Sequence, residues 1–332
     1  DAWGRLARGA TSARASEQAS AADLAGARLA AQGELAVNYL NLRGLDAERA
    51  LLVQTVQGYQ RTLQITSNRY EAGIVARTDV LQAQTQLANA QADLLGLDRQ
   101  RAQLENAMAV LLGQAPASFS LAAQPAGPTA PPQIPLTVPS TLLLRRPDIV
   151  AAERDVARAS EQIGIAQSAR YPSLRLSGSI GSSATTVADL FSVSGLAWAL
   201  GASLAQTVFD AGATTARVQG AQAGLELAAA RYRQTVLTAF QNVEDQLAAS
   251  RILGEQLGLR EQATRSADLV EQQIFNRYQA GQVGFTDVIN AQVTAQNARR
   301  NLVQLQYARQ VAAVSLIQSL GGGWQAPEQA SR

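Results

Sequence analysis

Side chains that attack, shuttle protons or bind metals are scarce in this 332-residue chain. It contains no His and no Cys, and its 28 basic residues are all Arg. A Ser-His-Asp triad, a thiolate nucleophile, a disulfide frame and Cys/His zinc sites are therefore excluded. No Gly-rich phosphate loop or acidic cluster of metal-ligand spacing replaces them, so the chain reads as a non-enzyme and implies no cofactor and no metal. Asp245 beside Glu244, and Glu153 near Asp155, fit a solvated helix surface paired with Arg. The acids that stand out do so by position. Asn68-Arg-Tyr-Glu-Ala-Gly73 is followed by Thr78-Asp79-Val80, and Asn276-Arg-Tyr-Gln-Ala-Gly281 by Thr286-Asp287-Val288. Each Asp lies where a Gly-terminated helix would give way to the next one. Helix capping alone would account for both, with Gln82 at capping-box distance from Asp79.

The elements that position these motifs are themselves duplicated. An offset of 208 also pairs Gly4 with Gly212, Ala83-Gln84 with Ala291-Gln292, and Leu112-Gly113 with Leu320-Gly321. About 110 residues thus align without a gap, on either side of a unique insert, residues 114–211. Each copy reads as a helical hairpin. No Pro occurs from Arg5 to Ala72, and apolar residues recur in a 4-3 rhythm at Leu52, Val56, Tyr59 and Leu63, and again at Val236, Phe240, Val243 and Leu247. Val80-Leu87-Leu94 and Leu97-Leu104-Leu111 keep sevens, so the seams are coiled-coil-like. The spacing predicts nearly continuous helices over 5–72 and 212–280, antiparallel to 79–112 and 287–320. The first would be about 100 Å long, with Arg43-Gly44-Leu45-Asp46 as its weakest place.

The insert changes character along its length. Residues 114–146 form a Pro-rich connector, and a helix over 147–170 opens on Pro147. The period then switches to two. Leu174, Leu176 and Ile180 alternate with Ser and Arg, and Leu196, Trp198, Leu200 and Leu204 alternate with small residues, predicting strands over 173–181 and 196–205 within the segment 171–209. One face is apolar and the other small and polar. That fits a lipid-facing barrel strand with Tyr171 and Trp198 as interface aromatics, and it fits a half-buried soluble hairpin equally well. No window has the roughly 18 apolar residues of a membrane helix. A net charge of +2 gives no nucleic-acid footprint despite a pI of about 9.2.

The doubled hairpin with Arg-Tyr-x-x-Gly and Asp-Val at its tips resembles the outer-membrane efflux protein (TolC-like) family. So do Leu144-Arg-Arg-Pro-Asp148, Gln162-Ile-Gly-Ile-Ala, Tyr171-Pro-Ser-Leu and Phe209-Asp-Ala-Gly212. The Arg-Arg-Pro-Asp helix and Leu320-Gly-Gly-Gly-Trp324 are most similar to the branch serving RND-type pumps, often lipoproteins. The resemblance covers essentially the whole chain and favours a lipid-facing hairpin. It implies a mainly α fold with a small β part: two repeated long helical hairpins, residues 1–113 and 210–321, forming a trimeric α-barrel, with strands of a transmembrane β-barrel and a tail at 322–332. Each family protomer contributes four strands, and this chain opens where the first long helix starts, so an N-terminal part is expected to be missing. The implied function is a passive exit duct for drugs or other small solutes, located in the bacterial outer membrane and reaching into the periplasm. Its expected partners are two further copies, a periplasmic adaptor, an inner-membrane RND-type pump and outer-membrane lipid. A soluble coiled-coil scaffold or periplasmic adaptor is the alternative.

The resemblance also implies site roles. Tips at Gly73, Ile74, Gly281 and Gln282 would dock the adaptor. Asp79, Asp287, Tyr278 and Tyr70 would line or shut the narrow periplasmic aperture, with a bond from the tip tyrosine to the other tip's aspartate. The family's second ring acid falls at Asn290, and its occasional tip arginine falls at Val283.

Overall fold

The absence of Pro and the spaced apolar seams produce helices of unusual length. The computed structural model describes residues 1–124, 146–182 and 196–324. Helix α1 runs Arg5–Glu71, α2 Arg77–Leu111, α3 Pro147–Ser168, α4 Ala213–Gln279 and α5 Phe285–Ser319, with a 3₁₀ turn at Pro116–Ser118. Strands β1, Ser173–Ser182, and β2, Leu196–Ala205, form an antiparallel pair. Both long helices have 67 residues and both return helices have 35, and every bound of α4 and α5 lies 208 positions after its counterpart in α1 and α2. Most of the Pro-rich connector, the loop between the strands and the tail beyond Trp324 lie outside the described residues.

The chain divides into two compact units, Asp1–Gly26 with Leu143–Thr238 and Trp324–Arg332, and Ala27–Leu142 with Ala239–Gly323. In the first, α3 starts on Pro147, whose missing N–H is no loss in a first turn, and Arg146 grips Asp148 with two hydrogen bonds of 3.1 and 2.7 Å. The start of α1 buries Ser12, Ala15, Ala19 and Ala22. Gln162 of α3 donates to the Ser12 hydroxyl at 3.0 Å, and Glu161 pairs with Arg8 at 3.3 Å. Such small residues let backbones approach closely, which is how an Ala-rich chain packs. Trp3 stacks on Tyr171 with centroids 4.8 Å apart, and its indole N–H donates to the Pro172 carbonyl at 2.6 Å.

In the second unit the 4-3 rhythm becomes a core. Leu52, Tyr59, Ala90 and Leu97 are buried together, flanked by Leu45, Val56, Leu87 and Leu94. In the repeated copy Ala239 and Val243 are buried while Phe240 stays 45% exposed, so part of that seam has no cover among the described residues. No break occurs at Arg43-Gly44-Leu45-Asp46. Gly44 instead admits the Tyr307 ring, which would lie 3.2 Å from an added Cβ, and Asp46 is buried against the guanidinium groups of Arg43 and Arg101. The run that resembles a turn in sequence is a packing and ion-pairing site.

Candidate functional site at the hairpin tips and the exposed sheet

Both tips are built on the same turn. Gly73 has φ +72°, its N–H donates to the Tyr70 carbonyl, and the Ile74 N–H donates to Arg69 O, both at 2.8 Å. Gly281 repeats this with φ +74°, its N–H donating to Tyr278 O and the Gln282 N–H to Arg277 O, both at 2.9 Å. This is the Schellman arrangement, in which a left-handed residue closes the last helical carbonyls. A Cβ at either Gly would meet nothing within 4 Å, so the requirement is conformational. Gly73, Ile74, Gly281 and Gln282 are all exposed.

The two aspartates do not cap. The N-cap positions of α2 and α5 are Ala76 and Gly284, without side-chain cap bonds, and the backbone N–H groups of Asp79 and Asp287 donate to those residues' carbonyls at 3.1 and 3.2 Å. Each helix starts two residues earlier than its cap-like sequence suggests, because the Gly-anchored turn leaves only three residues, 74–76 and 282–284, before the chain re-enters a helix. The carboxylates thus occupy the third helical position, where they complement the macrodipole. Asp79 is half-buried, whereas Asp287 and Asn290 are exposed.

The tyrosines separate sharply. Tyr278 is 2% exposed, in a cluster with Ala83, Phe285 and Val288, and Tyr70 is 42% exposed. The Tyr278 hydroxyl lies 3.4 Å from the Thr66 hydroxyl. The expected link from this tyrosine to Asp79 is therefore corrected: among the described residues its hydroxyl pairs with Thr66 of α1, because the ring is driven inward by burial against Phe285, 5.5 Å away. Arg69 completes the contact, with its guanidinium 4.6 Å over the Tyr278 ring and Nη1 donating to the Tyr278 carbonyl at 2.8 Å.

Three polar groups take buried roles that their place in the sequence does not announce. Asp46, with no exposed side-chain surface, accepts from Arg43 at 2.7 Å, Arg101 at 2.8 Å and the Gln124 N–H at 3.1 Å. Arg101 and Arg43 also donate to the Leu121 and Ala122 carbonyls, and Glu105 accepts from the Leu121 N–H. This network pins the start of the connector to α1 and α2. The buried Glu48 pairs with Arg300 at 2.6 Å and accepts from Gln304 at 3.2 Å, beside a cleft of about 680 Å³. The Tyr59 hydroxyl donates to Gln296 at 2.9 Å and accepts from Gln86 at 3.0 Å, and burial pushes it above its ordinary range. The available signal was buried-stripe spacing, since positions 52 and 59 lie on one seam.

On the sheet, register decides the chemistry. Leu174 pairs with Leu204, Gly178 with Leu200, Ile180 with Trp198 and Ser182 with Leu196, so both sets of large apolar residues fall on one face. Arg175 opposite Ser203 and Ser177 opposite Gly201 form the other. Every residue of both strands is exposed, Trp198 at 71% and Leu200 at 79%. A half-buried soluble hairpin would cover its apolar face, and nothing among the described residues does so. Seven large apolar side chains on an open face mark a surface made for a non-aqueous or protein neighbour. Among the described residues no helix is long and apolar enough to cross a membrane.

Duplicated long hairpins, Gly-closed tips and an open apolar strand pair are the marks of a repeat-built protein of the cell envelope. The chain belongs to the outer membrane efflux protein family, whose model matches residues 1–114 and 138–322. It is 32% identical over 333 aligned positions to the pyoverdine export outer membrane protein OpmQ of Pseudomonas aeruginosa, spanning 99% of this chain and 69% of that protein. It is 28% identical to the cation efflux system protein CusC of Escherichia coli, over 88% of this chain and 63% of the relative. Among solved structures, the outer membrane protein VceC of Vibrio cholerae superposes with a TM-score of 0.87 at 30% identity, over 97% of this chain and 77% of that one. The family is a family of non-enzymatic efflux ducts of the outer membrane that extend into the periplasm, and the soluble-scaffold alternative falls with that assignment.

Proposed function

We propose that this chain belongs to a homotrimeric exit duct for drugs or other small solutes, fed through a periplasmic adaptor by an inner-membrane RND-type pump. The observation that carries the reading is the β1–β2 pair, whose seven large apolar residues share one fully exposed face. In water such a face invites aggregation, whereas in lipid it is the outer surface of a closed barrel, which leaves no unpaired strand edge. The small and polar opposite face suits a lumen that selects weakly, in keeping with relatives named for pyoverdine export and for cation efflux.

In this reading Asp287, Asp79 and Asn290 ring the periplasmic aperture, Tyr278 and Tyr70 help to shut it, and Gly73, Ile74, Gly281 and Gln282 receive the adaptor. Exposed backbone at Gly73 and Gly281, beside the 63% exposed Ile74, leaves room for another helical hairpin to dock end to end. Fractionation of cells, detergent extraction of the outer membrane and native sizing test the proposal. A trimer released only by detergent is expected. A monomer released by salt or alkaline wash would overturn it.

A further inference from the structure

One hexapeptide motif occurs twice, differing only in Glu71 and Gln279, and the fold uses a different residue of it each time. The first copy contributes Arg69, laid over the Tyr278 ring at 4.6 Å and bonded to its carbonyl at 2.8 Å. The second contributes Tyr278, buried beneath it. The complementary halves are left over. Tyr70, the counterpart of Tyr278, is 42% exposed. Arg277, the counterpart of Arg69, is exposed, and among the described residues its guanidinium makes no hydrogen bond or ion pair.

From this asymmetry we infer that Arg277 of one protomer closes over Tyr70 of a second copy, repeating between protomers the joint that Arg69 and Tyr278 make within one. The inference rests on the homotrimer proposed above. A ring of duplicated units joins first copy to second within each chain and second copy to first across each boundary, and matching bounds at an offset of 208 allow both joints the same geometry. An exposed guanidinium facing an exposed tyrosine ring is the pairing that cation–π attraction favours. The two joints are not equal. Ile274 stands where Thr66 receives the Tyr278 hydroxyl, and Arg77 stands where Phe285 packs its ring. The joint between protomers therefore lacks the hydroxyl pair and the second aromatic ring, and it is the one that parts first when the tips open.

The chain has no native Cys, so engineered pairs report cleanly. Full-length protein carrying Tyr70→Cys with Arg277→Cys is treated in outer membranes with a short bismaleimide. Covalent dimers and trimers are expected from the double variant and from neither single one, while Arg69→Cys with Tyr278→Cys cross-links within a chain and gains no mass. Trimers that assemble normally but give no intermolecular bands would overturn the joint and leave the duct standing. Protein that sizes as a monomer would overturn the trimer itself. A second test avoids thiols altogether. Arg277→Ala, Tyr70→Ala and the double variant are compared for influx of an antibiotic too large for the shut aperture. Equal leak in all three is expected, because each removes the same contact. Additive leak would refute the pairing.

Discussion

Asp46→Ala tests the buried network at the connector most directly. The wild-type carboxylate has no exposed surface, and its oxygens engage Arg43, Arg101 and the Gln124 N–H. The side chains of Arg43 and Arg101 are only 11% and 16% exposed. Removing the acid leaves two poorly hydrated cations facing each other, with Glu105 still beside Arg101 at 2.8 Å. Breaking one side of a buried pair costs about 3–5 kcal/mol. The matched control is Asp98→Ala, which breaks the Arg49–Asp98 pair at 2.6 Å, where both side chains are about two-fifths exposed. That loss is expected to be about 0.2–1 kcal/mol. Detergent-solubilised trimers scanned at one heating rate give the comparison, and hydrogen exchange at the Leu121 and Gln124 amides locates the damage. Early unfolding and lost protection at 121–124 are expected for Asp46→Ala alone. Equal effects from the two variants would refute the claim that burial sets the scale.

On the sheet, Leu200→Arg is expected to destabilise membrane insertion by about 2–4 kcal/mol if the position lies near mid-bilayer, whereas Ser177→Arg on the opposite face is expected to change conductance with little loss of assembly. Because Asp287 is not a cap, Asp287→Asn separates charge from capping, and reconstituted trimers are expected to lose cation preference at a stability cost of only about 0.3–1 kcal/mol from the lost helix-dipole interaction. Asp210 holds the start of α4, accepting from the Gly212 and Thr214 N–H groups at 3.0 and 2.7 Å, and the Thr214 bonds hold its carboxyl below the ordinary aspartate range. A lowered folded pKa stabilises above the unfolded value and fails as pH falls through the folded one. Exchange protection of the Thr214 amide is therefore expected to survive into more acid solution than an ordinary aspartate allows and then to vanish, and Asp210→Asn is expected to remove this pH dependence.

The helices, the turns and the strand faces were legible because their causes are local. Absence of Pro, seven-residue seams and Gly at a left-handed position act within a few residues, so the 208-residue offset carried intact from sequence to structure. Alternation at 173–181 and 196–205 likewise predicted one apolar face, and pairing of Ile180 with Trp198 joined the two strands' faces into one. Tertiary structure decided everything that depends on what lies opposite. Gly44 and Asp46 look like a helix break until Tyr307, Arg43 and Arg101 are seen around them. Asp79 and Asp287 look like caps until the Gly-closed turns start their helices two residues earlier. Most plainly, Arg69-Tyr70 and Arg277-Tyr278 are the same dipeptide, yet only one Tyr is buried. A sequence repeat fixes the backbone twice over. Which copy's side chain is covered depends on the neighbour each copy meets, and within one chain the two copies meet different ones.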